Sequence, residues 1–154
     1  DNWFEESFNF ILPGYNVRPL EMSGAIGTEQ LKKLPFFIDQ RRKNAKLFTK
    51  LFKNDNRFII QREIGESSWF GFSILLNEIN RKKVIESLEK ADIEYRPIVT
   101  GNFIKNKVMK FFDYEVFSKL QNADKLDKFG FFVGNSHEDL KSEITYLYKI
   151  LNEF

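Results

Sequence analysis

The apolar positions between Leu20 and Phe52 recur at steps of three or four residues, or at sums of these steps, which predicts helix. Pro35 lacks an amide donor and restricts Leu34, so we expect a break or a kink there. Two glycines lie among small residues in segment 23–28, and small residues allow another backbone to approach closely. We therefore expect two helical parts with tight packing on the first, or a short non-helical turn over 23–28.

Alternating or continuous apolar residues predict the strands. Residues 57–64 and 68–76 predict a hairpin with a short glycine-containing connection. Residues 93–99 predict another strand, which Pro97 places at an edge of the sheet or ends early. Residues 131–133 predict a brief buried strand.

Three further helices follow from capping signals and apolar spacing. Asn80 is expected to cap a helix that runs through residue 92, and residues 122–129 predict a short helix closed by Gly130. Ser136 and Asp139 resemble a capping box for a final helix, whose expected inner face consists of Leu140, Ile144, Leu147 and Leu151. Segment 101–114 predicts a loop with a turn of helix. Helices alternating with few strands indicate an α+β fold of a sheet packed with helices.

Composition narrows the function classes. The 154 residues fit one domain, and 42% hydrophobic with 30% charged residues is typical of a folded globular chain. The net charge of +2 comes with scattered basic residues, which argues against a nucleic-acid partner. The apolar runs are far shorter than the roughly 20 residues of a membrane helix, so no membrane partner is expected.

The residue types exclude most self-contained active sites. The chain has no cysteine and one histidine, which excludes disulfides, thiolate zinc sites, cysteine nucleophiles and histidine-rich metal sites. No phosphate-binding glycine loop is present. We expect the basic runs 41–43 and 81–83 to be exposed helix turns, and most of the eighteen phenylalanines to be packing residues. No catalytic constellation or metal site is predicted.

Polar residues in loops are the remaining candidates, because function concentrates on loops held by a scaffold. Three clusters qualify: Asn16 with Arg18, segment 96–102, and segment 134–137. Arginine and asparagine suit an anion, since one offers a planar fork of donors and the other donates without adding charge. Each cluster also has a structural explanation, as a turn residue or a helix cap.

Residues 13–27 read P-G-Y-N-V-R-P-L-E-M-S-G-A-I-G and are followed by Glu29-Gln30-Leu31. This segment resembles the signature of the DegT/DnrJ/EryC1/StrS family of vitamin B6-dependent sugar aminotransferases and dehydratases. Segments 65–72, 96–102 and 132–135 agree, so the resemblance covers nearly the whole chain. It implies the C-terminal small domain of the aspartate aminotransferase fold, with a small antiparallel or mixed sheet.

The resemblance also implies a domain division and an activity. Residues 1–19 would be the tail end of the large-domain and active-site loop region, and 20–154 the small domain. The N-terminal cofactor-binding domain would precede the chain, which has no initiating methionine or signal segment. Segment 96–102 lacks the arginine-x-histidine-aromatic pattern that is more frequent in the aminotransferases. This difference favours a 3-dehydratase, and the resemblance as a whole implies a GDP-4-keto-6-deoxy-hexose as its substrate, in dideoxysugar and O-antigen lipopolysaccharide biosynthesis. The alternatives are a sugar-nucleotide 4-aminotransferase and a non-catalytic dimerisation module.

The cofactor implied by the resemblance is pyridoxal 5'-phosphate or pyridoxamine 5'-phosphate, with glutamate as amino donor. Family members are homodimers with shared active sites, and Asn16 would bind the cofactor phosphate across the interface. The implied substrate-binding residues are Arg18, Phe8, Arg96, Asn102 and His137. The catalytic base and the ring pocket would lie upstream, so this chain alone is expected to be inactive. The lack of cysteines and of an export signal fits a cytoplasmic protein.

Overall fold

A four-stranded antiparallel sheet organises the computed structural model, which describes residues 3–16 and 20–154. The strands are β1 (Phe58–Ile60), β2 (Gly71–Leu76), β3 (Tyr95–Arg96) and β4 (Gly130–Gly134). The α-helices of the described residues are α1 (Trp3–Glu6), α2 (Glu21–Leu31), α3 (Leu34–Phe52), α4 (Arg81–Lys90), α5 (Gln121–Phe129) and α6 (Lys141–Leu151). Two short 3-10 helices span Phe103–Lys105 and Lys107–Phe111. The expected α+β class and the helical turn within 101–114 are confirmed.

The strand order is β1-β2-β4-β3, and every neighbouring pair is antiparallel. The predicted hairpin is confirmed by the pairing of β1 with β2, and β3 lies at the edge that Pro97 predicts. Both strands of the hairpin are shorter than expected, however, and the connection covers residues 61–70. The second strand begins only at Gly71 because arginines of α3 bind the backbone carbonyls of residues 66–70, which are then held against a helix instead of a strand.

The core lies between the sheet and helices α3, α4 and α6. Phe48 of α3 stacks on both Phe52 and Phe72, with ring centroids 4.5 Å apart in each pair. Stacked and tilted aromatic pairs add to the stabilisation from buried apolar area. The predicted inner face of the last helix is confirmed: Ile144, Leu147 and Leu151 are buried, and Leu140 packs against the same core.

The helical stretch over 20–52 is interrupted as predicted. α2 ends at Leu31, and α3 begins at Leu34 with Pro35 in its first turn, where the missing amide costs no helix hydrogen bond. The expected tight packing on the first helix is not made within the described residues. α2 buries no residue, and apart from the neighbouring backbone of the helix itself, no described atom lies within 4 Å of a Cβ built on Gly24 or Gly27. The apolar residues of α2, with Ile26 at 62% exposure among them, are therefore exposed rather than packed against other described residues.

The helix starts agree with the sequence in one case and differ in another. Asn80 caps α4, because its Oδ1 accepts from Lys82 N at 3.0 Å. The capping box at the last helix is wrong: Ser136 Oγ accepts from Glu138 N and Asp139 Oδ1 accepts from Lys141 N, and α6 begins at Lys141. These two-residue turns satisfy the amides locally and so delay the helix.

Three arginines expected on exposed helix turns, namely Arg41, Arg42 and Arg81, are half-buried instead. Arg41 donates to carbonyls of the 68–70 loop, and Arg81 donates to Asp127 O and, at 3.2 Å, to Gly130 O. Each guanidinium reaches backbone carbonyls at least 24 residues further along the chain, which no local pattern indicates.

The phenylalanines are also less buried than expected, since six are buried and seven exposed. No helix within residues 3–16 and 20–154 is long and apolar enough to cross a membrane.

Candidate functional site

A cleft of about 380 Å³ opens beside the edge strand β3. It brings together Phe8 and Arg96, two of the residues that the family resemblance implies for substrate binding. Arg96 and Phe132 are cross-strand partners, so they lie on one face of the sheet. The other residues of the cleft on which the site depends are Arg41, Phe70, Glu94, Phe132 and Asn135.

Arg96 is held at the rim of this cleft by two contacts. Its Nη2 lies 2.7 Å from Glu94 Oε1, and its guanidinium lies 5.7 Å from the centre of the Trp3 ring. The side chain is 47% exposed, so the ion pair with Glu94 is worth less than about 1 kcal/mol and can exchange with another anion. Arg96 therefore offers a positive charge that a ligand in the cleft can reach.

Phe8 separates the cleft from a smaller pocket of about 150 Å³. It follows α1, its φ is 60°, and its side chain is half-buried. The segment it belongs to is anchored on β3 and α4, because Phe4 is 6% exposed and packs against Tyr95 and Arg81. An aromatic ring thus forms part of the wall of both cavities.

Asn102 lines the smaller pocket and is 3% exposed. Its Nδ2 donates to Asp124 Oδ1 at 2.9 Å, and Lys105 Nζ lies 2.8 Å from the same oxygen. Hydrogen bonds from Lys105 and then from Asn102 hold the pKa of Asp124 below its usual value, so this carboxylate remains charged. The amide nitrogen of Asn102 is thus engaged within the protein, and its role in substrate binding stays a prediction.

His137 lies outside the residues that line the cleft. Its ring packs on Phe37 with centroids 4.2 Å apart, and Nε2 is 3.4 Å from Glu138 Oε1 on the surface. The structure therefore does not join His137 to Phe8 and Arg96 in one cavity. Its contact with a substrate also stays a prediction.

Asn16 lies in an exposed segment without regular structure, next to Tyr15, whose side chain is 99% exposed. Its side chain makes no hydrogen bond to another described residue. An uncharged amide that is free to donate suits a phosphate oxygen, so the residue fits the anchoring role implied by the resemblance. Arg18, the other residue of this cluster, lies outside the described residues.

The sequence did not point to Arg41 and Phe70 as site residues. Arg41 comes from a helix turn expected to be exposed, and Phe70 was one phenylalanine among eighteen. The family resemblance is the one sequence feature that indicates the other cleft residues. Of the segments that carry it, 65–72 contains Phe70, and 132–135 contains both Phe132 and Asn135. The structure adds the hydrogen bonds from Arg41 and Asn135 that join these segments.

The sequence and the fold of this chain are similar to those of known proteins. The chain is 58% identical over 154 residues to GDP-4-keto-6-deoxy-D-mannose 3-dehydratase of Yersinia pseudotuberculosis, covering 97% of this chain and 39% of that protein. A solved structure of the E. coli enzyme with bound hydrated PLP superposes with a TM-score of 0.84 at 58% identity, over 98% of this chain and 40% of that chain. A mutant of the same dehydratase, solved with bound GDP-perosamine, matches equally well. The chain spans about 40% of the length of these relatives.

The predicted fold type is confirmed, because this chain superposes on solved structures of a vitamin B6-dependent enzyme. The family model matches residues 1–143. That range covers most of the chain and includes every candidate residue named above. The chain belongs to the DegT/DnrJ/EryC1/StrS aminotransferase family.

Proposed function

We propose that this chain is the C-terminal part of a sugar-nucleotide 3-dehydratase that acts on a GDP-4-keto-6-deoxy-hexose. The observation that carries the proposal is the 58% identity to GDP-4-keto-6-deoxy-D-mannose 3-dehydratase over 97% of the chain. The cleft at β3 supports it, because a positive side chain and aromatic rings face one cavity. A sugar nucleotide presents negative phosphates and apolar ring faces, and these are the groups that such side chains bind.

The proposed cofactor is pyridoxal 5'-phosphate or its pyridoxamine form, with glutamate as amino donor. The chemistry supplied by the bound pyridoxamine form is an electron sink, which the expulsion of the 3-hydroxyl requires. Asn16 would donate to the cofactor phosphate, in the active site of the other subunit of a homodimer. Its amide holds this anion without the repulsion that a carboxylate would introduce.

The remaining side chains would bind and enclose the substrate. Arg96 and Arg18 would bind its anionic groups, and Phe8 would wall the sugar pocket and exclude water. Asn102 and His137 would lie at the edge of the pocket. Residues 1–19 would belong with the active-site loop region and 20–154 with the small domain. A cytoplasmic location completes the proposal, since glutamate and sugar nucleotides are metabolites of that compartment.

A hybrid enzyme tests this function. The matching C-terminal part of the E. coli dehydratase is replaced by this chain, and the purified hybrid is loaded with pyridoxal phosphate. With glutamate and GDP-4-keto-6-deoxy-D-mannose, we expect the 3-deoxy sugar nucleotide, detected by mass spectrometry, at a rate within about tenfold of the E. coli enzyme. The N-terminal part alone is the control and should give no product.

Three observations separate the candidate functions. The 3-deoxy product supports the dehydratase. Because the N-terminal part of the hybrid brings its own catalytic base, the aminotransferase is tested on the full-length protein instead: lysine at the Schiff-base position there would indicate it, and histidine would support the dehydratase. A folded hybrid that retains the cofactor and forms no product would contradict the dehydratase and favour the non-catalytic module.

A further inference from the structure

Trp69 has a backbone conformation that favours glycine. Its φ is 50°, although it carries one of the largest side chains. A non-glycine residue persists in this region only where its surroundings fix it on several sides. The indole is 4% exposed, its Nε1 donates to Glu63 Oε2 at 2.6 Å, and its backbone N donates to Ser67 Oγ at 3.0 Å. The loop around Trp69 is thus fixed by the burial of the indole ring and by these two hydrogen bonds.

Arg41 fixes the same loop through its carbonyls. Its Nε donates to Ser68 O at 3.1 Å, and its Nη2 donates to Trp69 O and Phe70 O, each at 2.9 Å. The planar fork of a guanidinium can bind several acceptors at fixed angles, which an ammonium cannot do. Asn135 adds a second donor to Trp69 O at 2.9 Å. Three consecutive carbonyls are therefore directed at one side chain of α3.

The consequence of this arrangement is the position of Phe70. Its side chain is 81% exposed, although an aromatic ring is stabilised by burial. The ring centroid lies 6.0 Å from that of Phe132, and both rings line the cleft that contains Phe8 and Arg96. The loop thus holds an apolar ring at the mouth of a cavity.

We propose that Arg41 is a positioning residue, which holds the 68–70 loop so that Phe70 forms an aromatic wall for the nucleotide sugar in the cleft. This inference rests on the proposed function, because it takes the cleft as the substrate site. Arg41 acts on the substrate through Phe70. The loss of either side chain should therefore weaken substrate binding to a similar extent.

Arg42 provides a matched control on the same helix and the same loop. It donates to Ser67 O at 3.3 Å and also to Glu66 O. It is not among the residues of the cleft. Its guanidinium fastens the part of the loop that carries no cleft residue. Removing the Arg42 guanidinium tests whether loss of any hydrogen bond to this loop weakens substrate binding.

The experiment measures KM and kcat of the hybrid enzyme for GDP-4-keto-6-deoxy-D-mannose in five variants: Arg41→Met, Phe70→Ala, the combination of these two, Arg41→Lys, and Arg42→Met. We expect Arg41→Met and Phe70→Ala each to raise KM by about tenfold with kcat changed less than about threefold, and the combination to raise KM no further. Arg42→Met should change KM by less than about twofold. The KM of Arg41→Lys should lie between those of the native hybrid and Arg41→Met, since lysine keeps the positive charge but loses the planar guanidinium.

A failure of this inference can be distinguished from a failure of the proposed function. The proposed function fails if the unmodified hybrid forms no product. Given an active hybrid, an unchanged KM in Phe70→Ala would overturn the inference, and this variant alters only an exposed side chain, so it should fold. KM increases that multiply in the double variant would also overturn it, because Arg41 would then act independently of Phe70. A thermal unfolding curve for each variant identifies any loss of folded protein, and Arg41→Lys replaces Arg41→Met if that variant does not fold.

Discussion

The Nδ2 atom of Asn44 donates to Oδ1 of Asn135 at 3.1 Å, across 91 residues of sequence. Asn44 is 3% exposed in α3, and Asn135 follows β4, one of the two inner strands of the sheet. Because Asn135 in turn donates to Trp69 O and Arg41 O, one polar network joins α3, the 68–70 loop and the segment after β4. These are the three parts of the chain that meet at the base of the cleft.

Replacing Asn44 by leucine should destabilise the fold strongly. Its amide also donates to Ser136 O and Glu138 O, and its Oδ1 accepts from Leu140 N. A leucine of similar size leaves these partners without hydrogen bonds, at a cost of about 2–4 kcal/mol in the free energy of unfolding. Urea denaturation followed by tryptophan fluorescence measures this value. Gln40→Leu removes only an outer contact at 3.3 Å and should cost less than about 1 kcal/mol. Equal losses in the two variants would show that the network does not concentrate on Asn44.

Asp55 should make stability depend on pH in the acid range. Hydrogen bonds from the Arg57 side chain hold the pKa of Asp55 below its usual value and outweigh burial, which raises it. The carboxylate is 11% exposed, and its Oδ1 accepts from Arg57 Nε at 2.8 Å. Because the folded pKa lies below the unfolded one, the stabilisation is full above the unfolded pKa of about 3.9 and is lost as the pH falls through the folded pKa.

The test compares Asp55→Asn with the native chain across this range. We expect the variant to be less stable by about 1–2 kcal/mol at neutral pH. The gap should close as the pH falls below about 4. Asp39→Asn is the control, since Asp39 pairs with Lys43 at 2.7 Å with both side chains over 60% exposed, and it should cost less than about 0.5 kcal/mol. A gap that stays constant down to acid pH would contradict a role for the charge on Asp55.

The periodic elements could be predicted from the sequence because they depend on local spacing. Asn80 caps α4, Pro35 separates two helices, and the apolar face of α6 is the one that its spacing indicates. The same reasoning failed for Arg41, whose acceptors lie 27 to 29 residues further along the chain. No local pattern shows which carbonyls an arginine will reach.

The candidate site was predictable only in part, and through the family resemblance more than through composition. Phe8 and Arg96 share a cleft, while Asn102 lines the adjoining pocket and His137 lies apart from both. The residue that shapes the cleft, Phe70, depends on a left-handed Trp69. Tryptophan disfavours this backbone conformation, so tertiary contacts must hold Trp69 in it. Residue propensities therefore cannot predict it from the sequence.

Gly101 should not tolerate alanine. Its φ is 54°, and a Cβ built there would lie 2.6 Å from Asp127 Cα and 2.5 Å from Asp127 Oδ1. Strained backbone and a contact with main-chain atoms act together, so Gly101→Ala should lower the free energy of unfolding by at least about 2 kcal/mol. Gly24→Ala is the control within α2, because apart from the helix's own backbone no described atom lies within 4 Å of a Cβ built there, and alanine there favours helix by up to about 1 kcal/mol. Thermal unfolding of both variants measures the difference, and a similar melting temperature for the two would refute this prediction.

Asn16→Asp should weaken retention of the cofactor by the hybrid enzyme. The substitution keeps the size of the side chain and places a carboxylate where the proposal puts a phosphate, and like charges in a site shielded from water can cost several kcal/mol. We expect the dissociation constant for pyridoxal phosphate, measured by absorbance of the bound cofactor after dialysis, to rise by at least about tenfold. Asn122→Asp makes the same charge change on exposed α5 and should leave it unchanged. Since the amide of Asn16 binds no other described residue, the fold should not respond. Equal cofactor occupancy in the two variants would exclude Asn16 from the phosphate site, whether or not the hybrid turns over its substrate.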